Sequence, residues 1–339
     1  MIPLPQIAPH VDNALLYPGQ AAYMARTDLY QTRLLGYQPL NLDAVTTLLL
    51  GILGQMSTVR HRCGTTDEIL SFLTDAGLRI VEDMHIFESG TEAEAIADGL
   101  IRQGKQLFWP YPLRDGRFAD AAHLVTPALW ARLNSKEQLG DLVPSDALPT
   151  RRIIPTAQLD TDLPERPAYL KAAGQAATGW GYAVRYVSTD DDVSSARSDL
   201  CAADVDRVIV EEAVDVASCW CANLSVVDAG VTYLGAAEQT FSAPGQQLGS
   251  VIDPGNAFPE DGIALARDIA GAAGRLGFRG ICGIDIGQGR DGRMVVFDPN
   301  FRFNSSTPQV LLHPAASARN GLAVSVSFSG QSTRTMRDI

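Results

Sequence analysis

Three side chains near the end of the chain carry oxygen atoms that could hold a metal ion. Asp285, Asp298 and Asn300 lie within GIDIGQGRDGRMVVFDPNFRFNSSTPQ (283–309), on two apolar segments that a short turn connects. Asn300 follows Asp298 by two residues, so in a strand both side chains project to the same face. Carboxylate and amide oxygens suit Mg²⁺, which bridges such ligands to nucleotide phosphates. A second interpretation stays open, in which these are solvated residues at turns and strand ends of an ordinary sheet.

A glycine-rich segment upstream could bind phosphates. The sequence GQAATGWG (174–181) follows Lys171 and lies between two strand-like segments, which predicts a hairpin over 168–187. The glycines open no helix and no Gly-Lys-Ser/Thr ending follows, so the segment is neither a Walker A loop nor a dinucleotide fingerprint. A glycine hairpin can offer backbone N–H groups to phosphate oxygens. The alternative is a flexible hairpin with a chance lysine.

Lysine is scarce in this chain, which makes each lysine informative. Of the 27 basic residues only three are lysines, namely Lys105, Lys136 and Lys171. A lysine ammonium is a compact point charge, which contacts phosphate differently from the planar fork of arginine. Ser135 precedes Lys136 at the predicted start of a short helix, and Lys171 lies on the strand before the glycine segment. Both positions are compatible with phosphate binding.

The elements that must position these residues alternate between strands and helices. A strand, a helix and a second strand are predicted within 78–112, which favours a parallel α/β unit. The proline-rich stretch 143–167 predicts a linker. The segment VIVEEAV (208–214) predicts a buried strand that ends in acids. Two further strands flank a turn at 228–230, and a helix is predicted over 258–277.

Charge and composition exclude several classes of partner. The formal net charge is −12, which argues against a protein that binds nucleic acid or an anionic membrane, because such a protein needs a basic face. The chain shows no signal-peptide pattern and no apolar run long enough for a bilayer. Its five cysteines form no disulfide framework. We therefore predict a cytoplasmic protein.

Four of these features occur in the order found in the ATP-grasp ligases. From about Asn134 to Pro308 the chain resembles that family, with a lysine at a helix start and a second lysine before a glycine lid hairpin. A strand that ends in acids follows, and then an acid with an Asp-x-Asn-x-Arg signature, GIDI…VVFDPNFR. The last part looks most like the peptide-ligase branch of microbial natural-product pathways, such as the pheganomycin-type ligase.

The resemblance implies an α/β (α+β) protein with the ATP-grasp fold. An N-terminal α/β pre-ATP-grasp domain is expected over 1–130. A small antiparallel lid subdomain with helices and the glycine-rich hairpin is expected over 131–214. A C-terminal catalytic, metal-binding domain with a mixed sheet is expected over 215–330, followed by a tail over 331–339.

The resemblance also implies roles for individual residues. Asp285, Asp298 and Asn300 would hold one or two Mg²⁺ ions, and Arg302 would be the catalytic residue that steadies the transferring phosphoryl group or the acyl oxygen. The residues implied in ATP binding are Lys136, Lys171, Gly179, Gly181, Glu211, Glu212, Ala213 and Val214. The residues that would border the acceptor pocket are Asn304, Ser305, Ser306 and Thr307.

One position departs from the family. The family often places an arginine shortly before the first metal-binding acid. This chain instead has GICGI at 280–284, with no basic residue between Gly280 and Asp285. Arg302, Arg279 or an arginine of the N-terminal domain would then have to do that work.

The implied reaction joins a carboxylate to an amine with ATP and Mg²⁺. An acyl phosphate forms first and the amine then displaces phosphate, which yields an amide between amino-acid or small-acid substrates in natural-product biosynthesis. Two alternatives stay open: transfer of the acyl group to a carrier-protein thiol, and a nucleotide-binding protein without turnover. The expected partners are a small carboxylic acid and an amine, with a homodimer as often found in the family. The sequence names neither substrate.

Overall fold

The strands of the protein form three separate sheets. The computed structural model describes residues 6–25, 49–110, 116–161, 165–173 and 184–328. The tip of the predicted glycine hairpin, with Gly179 and Gly181, lies outside these residues. None of the helices within the described ranges has the length and apolar character needed to cross a bilayer.

The first sheet has four parallel strands in the spatial order β3-β2-β1-β4. Its strands are β1 (Ala21–Met24), β2 (Ser57–His61), β3 (Asp83–Phe87) and β4 (Gln106–Phe108). The helices of this region are α1 (Asp67–Asp75), α2 (Gly90–Arg102) and α3 (Pro127–Leu133). Helix α2 connects β3 to β4, as predicted, and both strands belong to one parallel sheet. They lie at its opposite edges, because β1 and β2 occupy the centre.

The second sheet is antiparallel and has the order β5-β8-β6-β7. Its elements are β5 (Arg151–Pro155), β6 (Ala168–Ala172), β7 (Val184–Val187), α4 (Asp190–Ala202) and β8 (Arg207–Glu212). A capping box starts α4: the Thr189 hydroxyl accepts from the Asp192 N–H, and the Asp192 carboxylate accepts from the Thr189 N–H. The pairing of β6 with β7 confirms that the two strands flanking the glycine segment form a hairpin.

The third sheet has six strands in the order β13-β12-β9-β10-β11-β14. Its elements are β9 (Val216–Val227), β10 (Gly230–Ala243), β11 (Gln246–Ile252), α5 (Glu260–Arg275), β12 (Gly280–Gly289), β13 (Met294–Asn300), α6 (Thr307–Asn320) and β14 (Ser325–Phe328). This sheet was expected to be mixed, but each pairing in it is antiparallel. Consecutive strands here are joined by tight turns, and α5 returns the chain so that β12 runs against β9.

The largest apolar core joins the first sheet to the third. It contains residues of both, and aromatic contacts meet at Phe303, three residues after the end of β13. The rings of Tyr23 on β1 and Phe108 on β4 each lie 5.6 Å from the Phe303 ring, edge to face. This contact anchors Phe303 between Arg302 and Asn304, so the N-terminal sheet holds in place a segment on which the predicted site depends.

Candidate active site

The two predicted metal-binding acids face each other across neighbouring strands. Asp285 on β12 is the register partner of Asp298 on β13, and Gly283 is the partner of Asn300. Ile286 pairs with Val296, so Phe297 is an extra residue in a β-bulge next to Asp298. Residues on one face of an antiparallel pair come within about 5 Å of each other. Strand pairing thus brings the predicted carboxylates together.

Two like charges in this position raise the proton affinity of one acid. Burial, and then the negative charge of Asp298, raise the pKa of Asp285 to about 6. Opposing this, the Cys221 thiol and the Gln239 amide donate to Asp285; the Gln239 Nε2 to Asp285 Oδ1 distance is 3.0 Å. On the other acid, Lys136 Nζ forms an ion pair with Asp298. Excess negative charge here favours a cation.

The donor set fits Mg²⁺ better than a softer metal. Among the described residues, no group of three or more His, Cys, Asp or Glu side chains could hold an ion. Asp285 and Asp298 are carboxylates and Asn300 is a carboxamide, so together they would supply three oxygen ligands and leave the other positions to water and substrate phosphates, as Mg²⁺ prefers. Asn300 Oδ1 now accepts from Arg302 at 2.7 Å and would exchange this contact for the metal.

The two lysines are held by carboxylates at the same site. Lys171 Nζ forms an ion pair with Glu211 and also donates to the Phe297 carbonyl at 3.2 Å. Among the residues that the structure describes, the second carboxylate oxygen of Glu211 is buried and has no hydrogen-bond partner. Buried polar atoms without partners are costly and are commonly satisfied by a ligand or water.

Backbone contacts fix the segment that carries Lys136. Asn134 Oδ1 accepts from the Phe301 N–H at 2.9 Å, and Arg151 donates to the Lys136 carbonyl at 2.6 Å. Ser135 is the residue before the 3₁₀ helix Lys136–Asp141, as predicted, but its side chain makes no capping hydrogen bond. The lysine is therefore positioned by the end of β13 and by β5 of the second sheet rather than by a cap.

A cavity of about 400 Å³ unites most of the predicted residues. The predicted residues that line it are Lys136, Lys171, Glu211, Val214, Asp285, Asp298, Asn300, Arg302, Asn304 and Ser305. Its apolar wall includes Tyr169, Val184, Val216, Phe241 and Phe297. A cavity lined both by charged groups and by apolar side chains is suited to a ligand with phosphates and a planar base.

Four predicted residues lie elsewhere. Glu212 and Ala213 line a second groove, behind the strand end, where Glu212 pairs with Arg293 at 2.6 Å. Ser306 and Thr307 were predicted at the acceptor pocket, but both are buried and make hydrogen bonds to Asn223. A loop without strand alternation gave no sequence signal for this burial.

Three arginines can be compared as replacements for the arginine that is missing before Asp285. Arg302 lines the cavity, where its guanidinium donates to Asn300 Oδ1 and to the Phe303 carbonyl at 3.2 Å. Arg279 is instead paired with Asp228 at 2.8 Å, outside the cavity lining. Arg60 of the N-terminal sheet is buried against Glu82. Of these three, Arg302 is the one at the site.

Sequence reasoning missed several residues of the site. Gln239 donates a hydrogen bond to Asp285. Tyr169 and Phe297 belong to the apolar wall of the cavity. Asn223 is fully buried near the cavity. Asn223 offered the clearest signal, since a carboxamide within the apolar run CANLSVV must be hydrogen-bonded if it is buried. Its side-chain partners Asn304, Ser306 and Thr307 lie more than 80 residues away in the chain, which no local pattern reveals.

Two family models match the chain. The model of the L-aspartate–L-methionine ligase N-terminal domain matches residues 13–131. The model of the L-aspartate–L-methionine ligase ATP-grasp domain matches residues 149–300. Together these two regions make up most of the chain and include Lys171, Asn300 and the two acids predicted to bind metal, Asp285 and Asp298.

Solved structures share the fold at low sequence identity. The ADP complex of N5-carboxyaminoimidazole ribonucleotide synthetase has a TM-score of 0.57 at 15% identity, covering 86% of this chain and 73% of that chain. The L-amino acid ligase from Bacillus licheniformis has a TM-score of 0.52 at 11% identity, covering 86% of this chain and 69% of that chain. A biotin carboxylase complex from Campylobacter jejuni has a TM-score of 0.53 at 14% identity, covering 94% of this chain and 75% of that chain. At these identities the similarity establishes the fold.

Proposed function

Since the chain belongs to the L-aspartate–L-methionine ligase family of ATP-grasp proteins and is an ATP-dependent, amide-forming ligase, we propose that it joins two amino acids. Aspartate is the first candidate for the acid and methionine for the amine, as in the family name. The observation that carries the proposal is the convergence of two lysines, two facing carboxylates and an arginine at one end of an apolar cavity. The matching N-terminal domain supports a free amino acid, rather than a carrier-protein thiol, as acceptor.

The cavity supports a defined orientation of ATP. The base would lie along the apolar wall with Val214 and Phe297, and the phosphates would reach Lys136 and Lys171. Each lysine would then exchange a carboxylate partner for phosphate oxygens, which replaces one charge-assisted contact with another. The spare oxygen of Glu211 is a ready acceptor for a donor group of the nucleotide.

Asp285, Asp298 and Asn300 would hold one or two Mg²⁺ ions, which when bound neutralise phosphate charge and align the reacting groups. The chain's own residues do the remaining work by positioning and by charge stabilisation. Arg302 can reach oxygens near Asn300 and would steady the phosphoryl group in flight. The acid carboxylate attacks the γ-phosphorus and ADP leaves; the amine then attacks the acyl carbon, releases inorganic phosphate and loses a proton.

Product analysis tests this function. Pairs of amino acids, beginning with aspartate and methionine, are incubated with ATP and Mg²⁺, and ADP, phosphate and the dipeptide are quantified. We expect one ADP per amide and a strict requirement for both amino acids. Release of AMP and pyrophosphate, or ADP formation that ignores the amine, would rule the proposal out. Intact-mass analysis of an added carrier protein distinguishes thiol transfer, and light scattering tests the predicted homodimer.

A further inference from the structure

A buried carboxamide lies beneath the cavity on the central strand β9. Asn223 has no exposed surface and uses both ends of its side chain. Its Oδ1 accepts from Asn304 Nδ2 at 3.1 Å and from the Thr307 hydroxyl at 2.8 Å. Its Nδ2 donates to the Cys221 carbonyl at 3.2 Å and to the Ser306 hydroxyl at 2.9 Å. A network satisfied in this way fixes the orientation of every member.

Asn304 is the member of this network that reaches the cavity. Its Oδ1 accepts from the Ser306 N–H at 3.0 Å and from the Ser306 hydroxyl at 2.7 Å, so its oxygen is identified and cannot turn outward. One N–H of its amide donates to Asn223. Within the described part of the chain, the other N–H has no acceptor. Asn304, which lines the cavity, therefore keeps one neutral N–H without a partner among the described residues.

Gly283 makes room for this amide. A Cβ at position 283 would lie 2.0 Å from Asn304 Nδ2 and 2.9 Å from Cys221 Sγ, so the Asn304 amide occupies the space of the missing side chain. Gly283 precedes Asp285 by two residues on β12 and is the register partner of Asn300. Positions two apart on a strand share a face. The amide therefore lies beside the predicted metal ligands, at the reacting end of the cavity rather than at its apolar wall.

We propose that Asn304 is a catalytic residue that donates its free N–H to an oxygen of the transferring phosphoryl group, and that Asn223 positions it. This inference rests on the proposed function, because it needs phosphoryl transfer at this site. A fixed donor aimed at developing negative charge costs no reorganisation during the reaction, and removal of such a donor lowers kcat by about 100- to 1,000-fold in known cases. The carboxamide thus supplies, without charge, stabilisation on the face where Gly283 carries no side chain.

Three variants test the roles of donor, support and space. Asn304→Ala removes the donor, Asn223→Ala removes its support, and Gly283→Ala displaces the amide. The matched control is Ser225→Ala on the same strand, because Ser225 is equally buried and donates to the Leu15 carbonyl away from the cavity. Thermal unfolding with circular dichroism establishes that each variant is folded under the assay conditions.

The decisive readout compares two ligands. ADP with Mg²⁺ occupies the nucleotide site, whereas ADP with Mg²⁺ and fluoroaluminate mimics the phosphoryl group in transfer. We expect the three variants to bind the fluoroaluminate complex at least about 30-fold more weakly and to lower kcat by about 100-fold, with the Kd of ADP within about threefold of wild type. Ser225→Ala should change neither affinity nor kcat.

The outcomes separate this inference from the proposed function. If wild type makes the dipeptide and the three variants retain fluoroaluminate affinity and kcat, the role of Asn304 is wrong while the function stands. If wild type makes no amide but fluoroaluminate binding still depends on Asn223 and Asn304, the phosphoryl role holds and the ligase function fails. Equal weakening of ADP and fluoroaluminate binding would assign the network to general structure and overturn the inference.

Discussion

Two buried ion pairs in this protein differ in what they leave unsatisfied. Arg60 and Glu82, at the first sheet, have side chains that are 1% and 0% exposed. Both Glu82 oxygens are occupied, because Oε2 accepts from Arg60 at 2.6 and 2.9 Å and Oε1 accepts from the Gly51 N–H at 2.9 Å. Lys171 and Glu211 are similarly buried, at 8% and 2%, but one Glu211 oxygen has no partner in the described part of the chain.

The difference indicates which pair is structural and which awaits a ligand. A fully hydrogen-bonded buried pair has no capacity left for a substrate, and breaking it exposes the whole desolvation cost of a charge. A pair with a spare acceptor at a cavity wall can exchange partners when a ligand arrives. Burial alone would have grouped the two pairs together, whereas the count of occupied oxygen atoms separates them.

The largest expected effect comes from breaking the satisfied pair. Glu82→Ala leaves the Arg60 charge buried without its partner, so the free energy of unfolding should fall by about 3–5 kcal/mol. Urea unfolding followed by circular dichroism measures this loss. The control is Glu94→Ala, which breaks an exposed pair with Arg117 and should change the free energy of unfolding far less. Similar losses for the two variants would contradict the structural role of Glu82.

The next effect comes from replacing both members of each pair with uncharged residues. Lys171→Met with Glu211→Gln should weaken ADP binding by about 100-fold, near 3 kcal/mol, because a charge-assisted phosphate contact is lost. Its unfolding free energy should change by about 1 kcal/mol or less. Arg60→Met with Glu82→Gln should leave the Kd of ADP unchanged, as measured by calorimetry. Weakened ADP binding in this second double variant would erase the proposed distinction.

A third pair, Asp285 and Asp298, has like charges and should respond to pH. The folded-state pKa of Asp285, about 6, lies above its ordinary value of 3.8, so folding favours the protonated acid. The free energy of unfolding of the metal-free protein should therefore rise as pH falls from 7 through 6 toward 4, by about 2 kcal/mol from this group. The difference between wild type and Asp285→Asn across this range isolates the effect. Saturating Mg²⁺ should abolish it, and an identical pH profile for the two proteins would contradict it.

The smallest effect is expected behind the cavity. Glu212 and Arg293 form a half-exposed pair, and hydrogen bonds from Thr150 and Arg293 hold the pKa of Glu212 below its ordinary value. Glu212→Gln should lower the unfolding free energy by less than about 1 kcal/mol at neutral pH, and by less still in acid, where Glu212 takes up a proton. ADP affinity should remain within about twofold. A large loss of ADP affinity would show instead that the Glu212 side chain takes part in nucleotide binding.

The sequence was sufficient for those parts of the site that follow from strand alternation. Asp285 and Asp298 lie on apolar segments joined by a tight turn, so their pairing could be anticipated, and the same holds for the β6–β7 hairpin. The sequence was insufficient where the position of a residue depends on a loop or on a strand distant in the chain. The burial of Ser306 depends on Asn223, 83 residues earlier, and the Phe297 bulge leaves no mark in the local pattern.

The bulge at Phe297 affects how this site could change during evolution. Asp298 pairs with Asp285 on one side of Phe297, and Val296 pairs with Ile286 on the other. A gene shorter by that one codon would encode a regular strand with both pairings intact, and would lose only the aromatic ring and the carbonyl that Lys171 contacts. Deletion of a single codon would therefore remove the proposed contact of Phe297 with the nucleotide base while the pairing of Asp285 with Asp298 is kept, so the two features can evolve separately.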